Sequence, residues 1–150
     1  MKIAAAQTDA WNIAKGKNPE QASLLRFRPS LQKFLADENY PCRLTITWDF
    51  SPGDADGMPT DTQSADMKDF EKLLLDSLDP DRLAVLAFVY TTRGSREWHF
   101  YFSDADEVSQ RINQALAGVP TLPIQLHVEE DPNWEPLRQV YQICNPPVQA

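Results

Sequence analysis

Glycine is scarce in this chain, with five among 150 residues, and none of the five is spaced as a phosphate-cradling loop. Cysteine is scarcer. Cys42 and Cys144 show no metal-ligand spacing, so two reduced thiols are expected, with a single disulfide as the alternative only for an exported chain. The two histidines, His99 and His127, form no HxH or HExxH pattern. No metal and no cofactor is therefore expected. A Gly-x-Ser-x-Gly elbow is missing, and Gly94-Ser95 falls where a turn is needed, so no covalent nucleophile is expected either. The longest apolar run lies within Leu83–Tyr90, far short of the roughly 20 residues that span a bilayer. Basic residues are the minority, 14 Lys and Arg against 22 Asp and Glu. The resulting net charge of −8 repels a phosphate backbone and attracts a basic protein.

What is present supports one folded domain. With 42% hydrophobic residues, 150 residues can bury one core, placed here at residues 9–150. Residues 1–8 open like a signal peptide, but polar residues interrupt them early. They read as a frayed tail, and a cytoplasmic location is expected.

The clearest periodicity is Arg43–Phe50, where Leu44, Ile46, Trp48 and Phe50 share one face of a strand. Arg82–Tyr90 reads as a strand buried on both faces, and Glu97–Phe102 as an aromatic strand after a turn at Arg93-Gly94-Ser95. Two shorter strands, Asp9–Lys15 and Gln21–Arg28, flank the turn signal Gly16-Lys17-Asn18-Pro19. Leu31, Phe34 and Leu35 suggest a short helical piece. A helix capped by Ser64 or Asp66 carries Met67, Phe70, Leu73, Leu74 and Leu78 inward, with Glu71 among the residues on its wet side. A second starts at Ser103-x-x-Asp106 and ends at a Gly118 cap, with Val108, Ile112, Ala115 and Leu116 inward. Leu122–Glu130 alternates again, with Leu122, Ile124, Leu126 and Val128 on the core side. A last helix follows Asp131-Pro132, with Trp134, Leu137 and Val140 or Tyr141 on one side.

From Arg43 onward the order is strand, helix, strand, strand, helix, strand. This is the ferredoxin-like split β-α-β pattern of the α+β class: an antiparallel sheet with helices on one face. An N-terminal β-hairpin and a C-terminal helix are additions, and the hairpin either extends the sheet or covers its open face. The aromatics Trp48, Trp98, Phe100, Tyr101 and Phe102 could stack bases only with basic flanks, which they lack, so they are assigned to the core.

Seven short stretches follow one another in a characteristic order. They are Trp11-x-Ile-Ala, Leu25-Arg-Phe-Arg, Ile46-Thr-Trp-Asp-Phe, Gly57-Met-Pro, Phe70-Glu, Thr92-Arg-Gly-Ser-Arg-Glu-Trp-x-Phe-Tyr and Glu130-Asp-Pro-x-Trp. In these the chain resembles the bacterial domain-of-unknown-function family 695, over about residues 9 to 141. The resemblance brings no catalytic residues. It implies a fold class similar to that of bacterial B-type regulators that inhibit ribonuclease E. Small proteins of this kind also occur as immunity proteins beside secreted toxins, so both roles are protein binding.

The functional expectation is a small acidic protein that binds and inhibits a basic protein by occlusion, most concretely an immunity protein for a bacterial toxin. It is expected to have no catalytic set. A regulator of a cellular ribonuclease is the second reading, and a hydrolase with an unrecognised carboxylate site the third. The candidate surface is the acidic loop Ser51–Ser64, with Asp54, Asp56 and Asp61, together with the start of the second helix, with Asp104, Asp106 and Glu107. The loop lacks the twelfth-position glutamate of a calcium site. The second acidic set is also what helix capping and the helix dipole would select.

Overall fold

The computed structural model describes residues 11–15, 23–51, 59–92 and 94–144. The period-two segments form one six-stranded sheet. Its strands are β1 (Asn12–Lys15), β2 (Leu24–Phe27), β3 (Cys42–Asp49), β4 (Ala84–Thr92), β5 (Ser95–Phe102) and β6 (Ile124–Glu130). They lie in the order β1-β2-β4-β5-β3-β6, and every neighbouring pair is antiparallel. Because β5 sits between β3 and β4 and opposes both, those two strands run the same way. That is the split β-α-β arrangement, with β6 closing it beside β3. The N-terminal hairpin extends the sheet, β2 pairing with β4.

Two helices cover one face. The first, α1 (Asp61–Leu78), begins earlier than its sequence suggests. Thr60, rather than Ser64 or Asp66, is the cap: its hydroxyl accepts from Gln63 N at 3.1 Å, and Gln63 Oε1 accepts from Thr60 N at 2.8 Å. This reciprocal box satisfies two N–H groups that the helix cannot. Met67, Phe70, Leu74 and Leu78 are its buried stripe, while Leu73 falls outside it. In α2 (Ala105–Ala115) the cap is Asp104, whose carboxylate accepts from Glu107 N, so the Ser103–Asp106 box does not form. Its C-terminal cap is Leu116, and Gly118 is not in the left-handed region. Arg111 of α2 donates to Ser77 O at 3.0 Å, placing a cation on the carbonyl end of α1, whose last turn has none of its own.

The opposite face is also covered. A 3-10 helix (Pro29–Phe34) and α3 (Glu135–Cys144) lie over β4 and β5 there. The sheet therefore separates two cores. Trp98, Phe100 and Phe102 of β5 join Leu44, Ile46 and Trp48 under α1 and α2. Tyr101 of the same strand joins Phe27, Leu31, Val85, Phe88, Trp134, Leu137 and Tyr141 under α3. A bulge between Leu86 and Phe88 shifts the register of β4. It leaves Phe88 opposite His99 and Val89 opposite Trp98, so adjacent large residues feed different cores. Five aromatics that might have stacked bases, Trp48, Trp98, Phe100, Tyr101 and Phe102, are all buried.

The β4–β5 connection reverses at Gly94, whose φ of +80° lies where a side chain would be strained. Its carbonyl accepts from Phe50 N at 2.9 Å, tying the hairpin to the end of β3. The outer strand β6 departs from expectation. Only Ile124 is half-buried, whereas Leu126 and Val128 are 49% and 51% exposed although they share the α1 side of the sheet. The helices reach β3 but do not extend over this edge. Cys42 is a free thiol.

Trp98 is fully buried and lies 5.1 Å from Phe70 and 6.3 Å from Trp48, ring centre to ring centre. Trp98→Ala should cost about 3–5 kcal/mol in urea denaturation. A loss below about 1 kcal/mol would show that this ring does not organise the first core.

Candidate functional site

The acidic residues picked from sequence do not form one surface. Asp61 is exposed at the first position of α1, which starts beside the β3–β5 end where Asp49 pairs with Ser95. Asp104, Asp106 and Glu107 start α2 at the other end of the sheet, after Phe102, which pairs with Cys42. Asp104 is spent as a helix cap, and Glu107 pairs with Arg111 at 3.0 Å. Asp54 and Asp56 lie outside the described residues.

A different polar group is assembled on the α3 side, and the fold of Asp131–Trp134 builds it. Asp131 is buried, and its Oδ1 accepts from Glu135 N at 3.0 Å, so one carboxylate oxygen starts α3. The other, Oδ2, accepts from the Tyr101 hydroxyl at 3.2 Å and faces Arg43 Nε at 3.1 Å, where the charges pair without a well-aligned hydrogen bond. Burial and the neighbouring Asp131 charge push the Tyr101 hydroxyl well above the ordinary phenol range, so it remains a donor. Arg43 also pairs with Glu129 and donates to His99 Nδ1 at 3.2 Å.

The donors around His99 fix its tautomer. Arg43 can only donate, so Nδ1 accepts. Nε2 then carries the hydrogen and donates to Glu97 Oε1 at 2.9 Å. The ring is buried and stacked on Phe88 at 4.1 Å and 12°. Burial is the main reason its pKa falls below the ordinary value of 6.5, so it stays neutral at pH 7. Both ring nitrogens are committed to protein partners. Glu97 is the opposite case. The hydrogen bond from His99, helped by Arg43, outweighs its own burial and holds the carboxyl below its ordinary value of 4.5.

Glu97 opens into a groove of about 490 Å³. Its floor is one cross-strand row, Ala14, Leu25, Tyr90 and Glu97, because these residues pair in register across β1, β2, β4 and β5. Its far wall is one stripe of α3, Pro136, Gln139, Val140 and Ile143, at helical spacing. The groove is therefore apolar, with an ionised carboxylate held from beneath by a neutral imidazole. Sequence reading missed Glu97, and it weighed Asp131 beside His99 only as a possible metal ligand. The signal was available: Glu97, His99 and Tyr101 alternate with Trp98, Phe100 and Phe102, so the second face carried large buried groups too.

Among the described residues, no three His, Cys, Asp or Glu side chains are grouped as a metal would require, and no helix is long and apolar enough to cross a membrane.

The fold and groove define a small α+β protein: a split β-α-β sheet with both faces covered and one acidic-floored groove. The chain belongs to the family of unknown function DUF695, whose family model matches residues 9–140. No curated protein matches it.

The buried His99 has a pH consequence whose sign is fixed. The folded ring binds a proton less readily than the unfolded one, so stability is full above about pH 6.5 and falls as pH drops below it. The lowered Glu97 adds its own loss only below its ordinary 4.5. Between pH 7 and 5, His99→Gln should flatten the stability profile by up to about 1.4 kcal/mol per pH unit, the limit for one proton. Parallel profiles for both proteins in urea titrations would show that His99 titrates as freely in the folded state as in the unfolded one.

Proposed function

We propose that this protein is a protein-binding module that receives a basic side chain of its partner in the α3 groove and inhibits that partner by occlusion. Glu97 carries the reading. A lysine or arginine has an apolar stem and a cationic head, and the groove offers apolar walls with one anchored anion on its floor. Leu25, Phe88 and Val140 suit the stem, and Glu97 suits the head. Its ionised state does not depend on the partner, because His99 already stabilises it. The net charge of −8 draws a basic protein in from a distance. His99 has no nitrogen free to take a proton from a ligand, which favours recognition over acid–base chemistry at this groove.

Within this class the role assigned is that of an immunity protein, neutralising a bacterial toxin whose basic site it covers. The acidic helix ends at Asp61 and at Asp104, Asp106 and Glu107 act in steering the encounter rather than as the contact surface.

Ile143 stands at the groove rim and is 80% exposed, so a photo-crosslinking residue there reports what docks without disturbing a core. In cells that make the protein it should capture one basic protein. Glu97→Gln should weaken the purified complex about tenfold, or about 1.4 kcal/mol. A captured protein that binds Glu97→Gln as tightly as wild type, or crosslinks that arise only from probes at Asp61 or Asp106, would refute the groove as the binding site.

A further inference from the structure

We propose that a second cavity, between α1 and strands β2 and β5, binds a phosphate-sized oxyanion. It has a volume of about 250 Å³ and is lined by Arg26, Ser64, Lys68, Glu71 and Arg96. It lies on the α1 side of the sheet, away from the α3 groove, and does not depend on that site's role.

The argument is one of charge and unused donors. Three cationic side chains face one carboxylate in a protein whose overall charge is −8. Glu71 is already taken: its carboxylate pairs with the Arg26 guanidinium and accepts from the Trp98 indole N–H at 2.9 Å. Arg96 feels the Glu71 charge but makes no salt bridge with it. Its Nε donates to Thr91 Oγ1 at 2.8 Å, and among the described residues its two terminal nitrogens have no hydrogen-bond partner. Neither Arg96 nor Lys68 has a salt-bridge partner among them.

Three cations around one committed carboxylate leave this cavity with a surplus of positive charge. Burial and the nearby Arg26 lower the pKa of Arg96 by more than the Glu71 charge raises it, so desolvation and like charge prevail at this guanidinium. An anion in the cavity offsets both costs by supplying opposite charge and acceptors. The donors also converge from different elements: Arg96 from the sheet, and Ser64 and Lys68 from successive turns of α1. A tetrahedral oxyanion can accept from all three, and the guanidinium fork matches two of its oxygens.

Inorganic phosphate is the probe. At constant ionic strength, replacing chloride by phosphate should raise the melting temperature of the full chain saturably, by roughly 3–6 °C at tenfold excess over Kd. Arg96→Gln, which removes a partly buried charge, should fold and lose the shift. Lys68→Gln, at an exposed position that folding does not need, should weaken phosphate binding roughly 3–10-fold. No saturable shift in the wild type, or undiminished phosphate affinity in either folded variant, would overturn the site. If Arg96→Gln does not fold, Lys68→Gln alone decides.

Discussion

The Trp134 indole lies flat on the Tyr101 ring, 4.2 Å between centres and 9° between planes, and both polar ends are satisfied. The indole N–H donates to Tyr40 O at 2.8 Å, and the Tyr101 hydroxyl donates to Asp131. Trp134 adopts a left-handed backbone angle, φ 56°, which costs about 1–3 kcal/mol and persists only because the ring is fully buried. The turn reverses the chain after β6, so that α3 returns across the sheet instead of running on into solvent. The buried Asp131 starts the helix with one carboxylate oxygen and anchors it to the sheet with the other.

The rest of the second face follows from that anchor. With α3 fixed, Leu137, Val140 and Tyr141 meet Phe27, Val85 and Phe88 to form the second core. The Tyr141 hydroxyl donates to Arg28 O, joining the end of α3 to the chain between β2 and the 3-10 helix. A ten-residue helix cannot cover six strands. Towards β1 and β2 it leaves the apolar groove, and towards β3 and β6 it leaves a polar face with Thr45, Thr47, Gln125 and His127. His99 lies on the boundary between these regions, stacked on an apolar ring while bonded to Arg43 and Glu97. The hydrogen bond it donates to Glu97 is what gives the groove a carboxylate that stays ionised.

The sequence made the first core legible because period-two and helical spacing agreed there: Leu44, Ile46 and Trp48 on one strand, and Met67, Phe70, Leu74 and Leu78 on the helix above it. The order of strands and helices from Arg43 onward was sufficient for the split β-α-β arrangement. The second core was less visible, because Tyr101 lies 30 residues before Asp131 and meets it and Trp134 only through a left-handed turn that no local propensity favours. Glu71 illustrates the same limit. Helical spacing puts it on the wet side, yet Arg26, 45 residues away, and the Trp98 indole draw it into a partly buried pair. Leu126 and Val128 show the converse. Their alternation marks a face correctly, but periodicity does not report how far the covering helices reach.

If the Asp131–Trp134 turn holds α3 in place as its own unit, removing the indole should release that helix and spare the other core. Native-state amide hydrogen exchange on Trp134→Ala is the direct measurement. Protection should fall across α3, while β3, β4 and β5 and the helices α1 and α2 keep protection close to that of the wild type. Undiminished protection in α3, or an equal loss throughout the molecule, would contradict the claim that this one stacked turn makes the groove.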